Sequence, residues 1–461
     1  MDVTAKRVVL IISALGSFLT PFMGSAANIA LPAIGKEFSM DAVLLSWVAT
    51  SYLLSSAIFL VPFGKLADIY GRKKIFTYGI VIFTAASLIC AMSFSPVVLI
   101  IFRVMQGIGS AMIFGTGVAI LTSAFPPNER GKAIGLNTAS VYLGLSGGPI
   151  IGGILTHAFG WRSIFAVVAP LGLLVAALIM WKLKGEWAEA RGERFDFLGS
   201  VMYGLMLLMI IYGLSLLPDS KGWTFITIGM ILMAAFVAWE FKANTPVLNM
   251  SLFRYNRVFA FSNLAAFINY SATFAVGFLL SLYLQYIKGL NAREAGLVLA
   301  AQPLVMAVFS VFAGRLSDKM ESRIISSAGM LITSAALFVM SFINSNTFLV
   351  FIVGSLMLLG LGLAFFTSPN THAIMNSVEK RFYGVSSAAV GTMRLTGQMF
   401  SMGIASLIIS IYVGKVEIAP GNYGSFIKAE KVTLIFFGIL CLAGVFASLS
   451  RGKSNPVIKE T

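Results

Sequence analysis

The chain has 461 residues, of which 58% are hydrophobic and only 11% are charged, and its mean hydropathy is +0.90. Soluble domains contain about 45–50% apolar and about 25% charged residues; this chain is too apolar for such a domain or for a disordered one. A net charge of +15 would suggest nucleic-acid binding in a soluble protein, but the composition indicates a multi-pass membrane protein without a nucleic-acid partner.

A membrane-spanning helix needs about 20 mainly apolar residues, and charges and turn residues divide the chain into fourteen such segments. In chain order, the predicted spans are residues 8–31, 43–64, 75–94, 97–121, 132–157, 163–181, 197–217, 223–241, 258–283, 294–313, 324–343, 347–370, 384–412 and 432–450. Helices are expected because a chain in lipid has to satisfy its backbone hydrogen bonds internally. The predicted fold is an all-α polytopic membrane protein.

The basic residues predict the orientation of the chain. An even number of spans puts both termini on one side, and 23 of the 33 Lys and Arg residues fall in segments on that side. Eight lie on the opposite side, and two, Arg103 and Arg394, lie inside spans. Because cytoplasmic loops are enriched in Lys and Arg, we predict cytoplasmic termini for a multi-pass protein of the cell membrane.

An internal repeat predicts how the spans are grouped. Gly64-Lys65-Leu66-Ala67-Asp68, between spans 2 and 3, reappears about 250 residues later as Gly314-Arg315-Leu316-Ser317-Asp318, between spans 10 and 11. Parallel repeats of this kind are typical of transporters that bind substrate at the interface of two bundles. The predicted units are a six-helix bundle at residues 1–181, a linker with two accessory spans at 182–250, and a second six-helix bundle at 251–461.

Three motifs stand out. The loop between spans 2 and 3 reads GKLADIYGRKK from Gly64 to Lys74, span 4 contains RVMQGIG from Arg103, and span 5 contains GGPIIGG from Gly147. Glycine at positions 64 and 71 permits a tight turn, and Asp68 is placed to pair with a cation or to cap a helix. In span 5, small residues at four-residue spacing allow close helix packing, and Pro149 allows the helix to bend.

With these motifs in these places, the chain resembles the major facilitator superfamily and, within it, the fourteen-span drug:proton antiporters. The resemblance covers nearly the whole chain and implies two six-helix bundles with two inserted helices, and multidrug efflux by alternating access. It implies coupling or gating roles for Gly64, Asp68, Gly71, Arg72, Arg103 and Gln106, and an antiporter motif at Gly144, Gly148, Pro149, Gly152 and Gly153. Plain helix packing is the alternative for the span 5 glycines, and hydrogen bonding to neighbouring helices is the alternative for Arg103.

Span 1 departs from the family pattern. The family reads Leu-Asp-x-Thr-Ile-Val-Asn-Val-Ala-Leu-Pro, whereas residues 22–32 read FMGSAANIALP, with Met23 at the acidic position. The 18 carboxylates of the chain are all expected in loops, at termini or in the last turn of a span. We therefore expect no carboxylate at mid-membrane depth, so a cationic drug would find no fixed counter-charge.

Polar residues inside the spans are the candidates for a substrate cavity. Arg394 lies about 11 residues into span 13, which places it about 16 Å deep at 1.5 Å per residue. An arginine at this depth normally faces a polar cavity or a partner. The candidate cavity residues are Thr20, Asn28, Asn269, Gln302, Arg394 and Gln398. For each of the uncharged ones, a role in helix–helix contact is the alternative.

The expected function is secondary active transport of small amphipathic organic compounds, neutral or anionic, directed outward. No Walker-type loop is present, so an ion gradient or the substrate's own gradient has to drive it. The resemblance makes protons the candidate ion. A dedicated organic-anion transporter or uniporter, and a lipid scramblase or lipid-acting enzyme, are the alternatives. We expect no enzymatic activity, no cofactor or metal, a monomer, and membrane lipid as the surroundings; Cys90 and Cys441 lie in apolar runs.

Overall fold

The computed structural model describes residues 3–452, apart from residues 184, 244, 249, 318, 379–382 and 415. In this part of the chain there is no β-strand, and fourteen helices are long and apolar enough to cross a membrane. Their bounds are Lys6–Phe38, Ala42–Tyr70, Arg72–Ala91, Pro96–Ala124, Ala133–Phe159, Arg162–Lys182, Phe197–Leu216, Ser220–Glu240, Arg257–Ile287, Ala292–Ser317, Ser322–Met340, Leu349–Asn376, Val385–Tyr412 and Pro420–Ser450, numbered here as spans 1 to 14. The predicted all-α polytopic fold is confirmed. Asp318 of the repeat lies outside the described residues.

Four spans are not single regular helices, and one of them, span 14, starts with a 3-10 turn at Pro420–Asn422 before the α-helix Tyr423–Ser450. Span 6 consists of Arg162–Ala166 and Val168–Lys182, and span 10 of Ala292–Leu299 and Ala301–Ser317. Span 9 changes from the α-helix Arg257–Leu282 to a π-helical turn at Tyr283–Ile287. Turns of this type are rare and occur mostly at functional sites. A short helix, Met250–Tyr255, precedes span 9.

The helices pack as two groups with a hairpin beside them. Span 1 packs against span 5, and span 4 against spans 2 and 3; in the second half, span 12 packs against spans 10 and 11, and span 9 against spans 13 and 14. The groups meet where span 2 crosses span 13 and where span 5 crosses span 10. Span 7 packs against spans 2 and 13, and span 8 against span 7. The domain limits at residues 181 and 250 stay a prediction.

The two groups are held together on one side of the molecule. We call the side of the chain ends and of residues 183–196 the terminal side, and the other the opposite side. Among the described residues, the hydrogen bonds that join the group of spans 1–6 to the group of spans 9–14 and their loops lie in the opposite half. They join Ser281 Oγ to the Asn28 carbonyl at 2.7 Å, Gln285 Nε2 to the Ile29 carbonyl at 3.0 Å, Tyr286 Oη to the Pro32 carbonyl at 3.3 Å, Ser46 to Ser406 at 3.0 Å, and the Ala42 amide to the Val416 carbonyl at 3.3 Å. The bundles are therefore closed on the opposite side.

Candidate substrate-binding site

A cavity of about 190 Å³ lies between the two bundles. It is lined by Thr20, Pro21, Gly24, Ser25, Asn28, Ile29, Tyr52, Leu53, Ser110, Phe114, Tyr142, Leu145, Pro149, Tyr270, Thr273, Phe274, Gly277, Leu299, Gln302, Pro303, Met306, Leu363, Arg394, Leu395 and Gln398. Both bundles contribute to this lining. Among the described residues, Arg394 is the only charged side chain that lines it, and none of the lining residues is a carboxylate. Most of the wall is therefore apolar or aromatic, with a few polar groups, as is usual for small-molecule sites.

The structure brings five of the six candidate cavity residues together. These are Thr20, Asn28, Gln302, Arg394 and Gln398. Asn269 is not among the lining residues: it is fully buried, and its side-chain amide lies 3.9 Å from Cys441 Sγ of span 14. Its depth along span 9 is comparable, but its side chain points into the packing between spans 9 and 14.

Two polar atoms of span 1 are available to a ligand. Thr20 Oγ1 and Asn28 Oδ1 are buried without a hydrogen-bond partner in the described part of the chain, and both residues line the cavity. A buried polar atom without a partner is costly, so a substrate that donates a hydrogen bond here gains affinity. The backbone carbonyl of Asn28 is already engaged by Ser281, which places this end of the cavity beside the closed contact between the bundles.

Arg394 is held among aromatic rings. Its guanidinium carbon lies 5.5 Å from the centre of the Tyr270 ring, and the Tyr142 hydroxyl is close enough to interact with it electrostatically. Among the described residues, no carboxylate lies within 4.0 Å of Arg394 to form a salt bridge. A guanidinium without a counter-charge in a partly apolar cavity favours an anionic or strongly polar ligand group.

The aromatic lining was not predicted residue by residue. Tyr52, Phe114, Tyr142, Tyr270 and Phe274 all line the cavity. The Tyr52 hydroxyl lies 2.9 Å from Ser110 Oγ and donates to the Thr20 carbonyl at 3.1 Å, so it ties spans 1, 2 and 4 together at the wall. The sequence feature that could have indicated this lining is a tyrosine in the middle of a span, because its hydroxyl needs a polar partner there.

Arg103 lies outside the cavity, inside the first bundle. It is 1% exposed; its Nε donates to the Val48 carbonyl at 2.9 Å and its Nη1 to Gln106 Oε1 at 2.5 Å. Gln106 in turn donates to Ser87 Oγ at 2.6 Å. The guanidinium also lies 4.4 Å from the centre of the ring of Tyr52, a residue that lines the cavity. Arg103 and Gln106 therefore join spans 2, 3 and 4 behind the cavity wall.

The loop motif between spans 2 and 3 is centred on Arg72. Its Nε donates to Asp68 Oδ1 at 2.7 Å, and its other nitrogens donate to Ser123 Oγ at 2.5 Å and to Glu189 at 2.8 and 3.1 Å. The side chain of Arg72 is nearly buried. It therefore connects the ends of spans 2, 3 and 4 to the linker that precedes span 7.

The linker covers this loop with a row of acidic residues. Glu193 pairs with Lys65 at 2.6 Å, and Glu186 accepts from the Lys73 amide at 2.9 Å. Glu186 also packs against Gly71, whose φ of 121° favours glycine. The prediction of a turn at Gly64 is wrong, because Gly64 lies inside the helix Ala42–Tyr70.

The span 5 motif lies where span 5 crosses one helix from each bundle. A methyl group at Gly144 would meet the Phe18 carbonyl at 2.5 Å, and one at Gly152 would meet the Ala26 side chain at 2.8 Å, both in span 1. A methyl group at Gly148 would overlap Ser25 in the same span. Toward the other bundle, one at Gly153 would meet the Ala292 carbonyl at 2.5 Å in span 10. Pro149 lines the cavity between these contacts.

One expectation about the carboxylates is wrong. Glu430 was placed before span 14, but the helix Tyr423–Ser450 begins seven residues earlier, and Glu430 is 2% exposed inside it. The charges of Lys428 and Lys431 suggested a loop, whereas both side chains are exposed on the outer face of the helix. A buried carboxylate is therefore present within a span, although it does not line the cavity.

The sequence of this chain is similar to those of known membrane transporters. The family model of the Major Facilitator Superfamily matches residues 13–259 and 262–460. The chain is 33% identical over 403 residues to the riboflavin transporter RibZ of Clostridioides difficile (strain 630), covering 87% of each chain. It is 30% identical over 415 residues to the multidrug resistance protein Stp of Mycobacterium tuberculosis, covering 88% of this chain and 76% of that one.

Two further likenesses extend this result. The chain is 28% identical over 461 residues to the cephamycin export protein CmcT of Amycolatopsis lactamdurans, covering 97% and 94% of the two chains. A crystal structure of a bacterial homologue of the human lysosomal transporter Spinster, inward-facing and unoccupied, matches with a TM-score of 0.72 at 16% identity over 98% of both chains. Because the sequence identity is low, this match supports the fold alone. The chain belongs to the major facilitator superfamily and is a multi-pass membrane transporter of its drug-efflux type.

Proposed function

We propose that this transporter exports small amphipathic organic compounds, neutral or anionic, by alternating access in antiport with an ion. The observation that carries the proposal is the cavity between the bundles, in which, for the part of the chain that the structure describes, Arg394 is the only charged side chain. A cation in this cavity would face a like charge and no carboxylate, whereas an anion would gain a charge-assisted hydrogen bond.

The rest of the wall favours a compound with an aromatic body. Five aromatic side chains line the cavity together with Gln302 and Gln398, and the buried side-chain oxygens of Thr20 and Asn28 have no hydrogen-bond partner among the described residues. Stacking suits a range of planar compounds. The names of the relatives, a riboflavin transporter, a multidrug resistance protein and a cephamycin exporter, span several organic compounds and support a broad substrate class.

The direction of transport is proposed from the orientation and from the family. The bundles are closed on the opposite side, so substrate enters the cavity from the terminal side, which the basic residues predict to be cytoplasmic. Loading from the cytoplasm is the step that an exporter requires. An ion gradient is the proposed energy source, because the sequence lacks a Walker-type loop.

A dedicated organic-anion transporter or uniporter is the second candidate, and the position of Arg394 favours it. Both candidates use Arg394 as counter-charge. They differ in the range of substrates and in the driving force. A uniporter moves one anion down its own concentration gradient, whereas the exporter moves several compounds against theirs.

Transport in proteoliposomes separates these candidates. Three compounds that share one aromatic ring system and carry a cationic, a neutral or an anionic substituent are measured with an imposed pH gradient or membrane potential. We expect the anionic and neutral compounds to move, with a rate that rises with the ion gradient. Transport of the cationic compound in proportion to the pH gradient would contradict the proposal, and movement of labelled lipid instead would indicate a scramblase.

A further inference from the structure

Glu430 is a buried acid without a partner. It is the eighth residue of the helix Tyr423–Ser450 and is 2% exposed. Both of its carboxylate oxygens are buried and have no hydrogen-bond partner among the described residues. The two other buried carboxylates differ, because Asp196 accepts from the Gly199 amide at 2.8 Å and Glu240 accepts from the Leu248 amide at 2.8 Å.

No cation neutralises Glu430 from the spans that pack against it, which are spans 9, 11 and 13. Span 9 contributes the hydroxyl of Tyr283, which is close enough to interact electrostatically. The ammonium group of Lys288, the residue after the span 9 turn, donates to the Ser345 carbonyl at 2.8 Å. The titratable residues of span 11 and span 13 are Arg323, Arg394 and Tyr412. The two arginines lie about 26 Å along their helices from the opposite end, whereas Glu430 lies about 11 Å from the start of its own helix at that end. Tyr412 is 42% exposed.

Span 14 itself supplies no counter-charge to this carboxyl either. Lys428 and Lys431 are on the exposed face of the helix, whereas Glu430 faces the interior. An ionised carboxylate in such a place is strongly disfavoured without a paired charge. In the conformation closed on the opposite side, Glu430 is therefore expected to carry a proton.

The surroundings of Glu430 are connected to the contact between the bundles. Tyr283 is the first residue of the π-helical turn Tyr283–Ile287, and its hydroxyl donates to the Asn344 carbonyl at 2.6 Å. The same turn supplies Gln285 and Tyr286, which donate to carbonyls of span 1 at 3.0 and 3.3 Å. The turn thus has Glu430 on one face and the first bundle on the other.

We propose that Glu430 is a proton-binding site that controls closure of the opposite side. When the bundles separate there, water reaches the Glu430 carboxyl and it releases or takes up a proton. The contact between the span 9 turn and span 1 forms only around the neutral acid. The inference rests on alternating access as part of the proposed function, and it is independent of which substrate is carried.

The expected linkage has a definite sign. The closed state binds one proton more than the open state, so the ratio of closed to open molecules rises as pH falls. Where the open state is ionised and the closed state is protonated, this ratio changes by up to about tenfold per pH unit.

Spin labels on the opposite side test the proposal. Phe94→Cys in the first bundle and Phe348→Cys in the second place labels at side chains that are 80% and 82% exposed, while Cys90 and Cys441 are buried. The distance between the labels is measured in lipid nanodiscs between about pH 5 and about pH 9. We expect the short-distance population of the labelled parent to grow as pH falls, approaching tenfold per pH unit.

Substitutions of Glu430 decide whether this residue is the site. Glu430→Gln imitates the neutral acid and should keep the short distance at every pH; Glu430→Met should do the same and serves if Glu430→Gln does not fold. Asp219→Asn removes an exposed carboxylate on the same side, between spans 7 and 8 and outside the contact between the bundles, and should respond like the parent. An unresponsive parent, or a Glu430 variant that still responds to pH, would overturn the proposal. No substrate is present, so an error in the proposed substrate class leaves the result unchanged.

Discussion

The guanidinium carbon of Arg394 lies 5.5 Å from the centre of the Tyr270 ring, inside the cavity between the two bundles. Stacking on the ring leaves the N–H groups at the edge of the guanidinium free to bind a ligand. Because none of the described residues that line the cavity is a carboxylate, this single cation dominates its electrostatics. The charge preference of the transporter should therefore depend on Arg394.

Replacing Arg394 should strongly reduce the transport of an anionic substrate and leave the fold intact. Arg394→Ala removes the counter-charge for an anionic substrate, which corresponds to about 1.5–3 kcal/mol, or about 10- to 150-fold in affinity. Arg394→Lys keeps the charge and should retain part of the activity. The measurement is uptake into proteoliposomes, with thermal unfolding as the control for folding. Unchanged transport by Arg394→Ala would exclude the assigned role.

Replacing Arg103 should mainly lower stability. Arg103→Met leaves the Val48 carbonyl and Gln106 without their partner and should cost about 3 kcal/mol. The measurement is the midpoint of thermal unfolding in detergent, compared with that of Arg394→Ala. If Arg103→Met unfolds like the unmodified protein yet does not transport, Arg103 has a direct part in coupling instead.

The span 5 glycines provide a matched pair of variants. A methyl group at Gly144 would meet the Phe18 carbonyl at 2.5 Å, a backbone atom that cannot rotate away, whereas one at Gly147 would only touch Ile151 at 3.5 Å. Gly144→Ala should cost about 1–3 kcal/mol and slow transport, and Gly147→Ala should be neutral or slightly stabilising. Thermal unfolding and transport rates check this. Equal effects of the two changes would show that the packing on span 1 is not critical.

The loop between spans 2 and 3 should affect rate more than binding. Asp68→Asn removes the negative charge that pairs with Arg72. It should slow turnover about fivefold, which corresponds to about 1 kcal/mol in the activation free energy. Glu193→Gln, which breaks the exposed pair with Lys65, is the control and should change little. The measurement is kcat and KM in proteoliposomes. A change in KM alone would place Asp68 in binding rather than in gating.

Depth in the membrane could be predicted from the sequence, but the direction of a side chain could not. Each helical residue adds 1.5 Å along the axis, so counting from the span ends placed Thr20, Gln302 and Arg394 at the level of the cavity. Asn269 lies at a comparable depth, but the packing of span 9 against span 14 turns it away. That rotation is set by contacts between distant segments, which a single sequence does not contain.

Span ends were the other source of error. Lys428 and Lys431 suggested that span 14 begins after them, yet long basic side chains near a helix end can extend out to water. Glu430 between them was therefore assigned to a loop although it is buried. The contacts of the acidic linker with Lys65 and Arg72 could not be predicted either, because no motif or periodicity pairs these segments.

Reversing the charge at Arg394 tests the central claim most directly. Two compounds with the same aromatic body, one with a carboxylate and one with an ammonium group, are compared by their affinities for the unmodified protein and for Arg394→Glu. We predict that the unmodified protein binds the anion at least about tenfold more tightly, about 1.4 kcal/mol, and that Arg394→Glu inverts this preference. The same preference in both proteins, or tighter binding of the cation by the unmodified protein, would contradict the account.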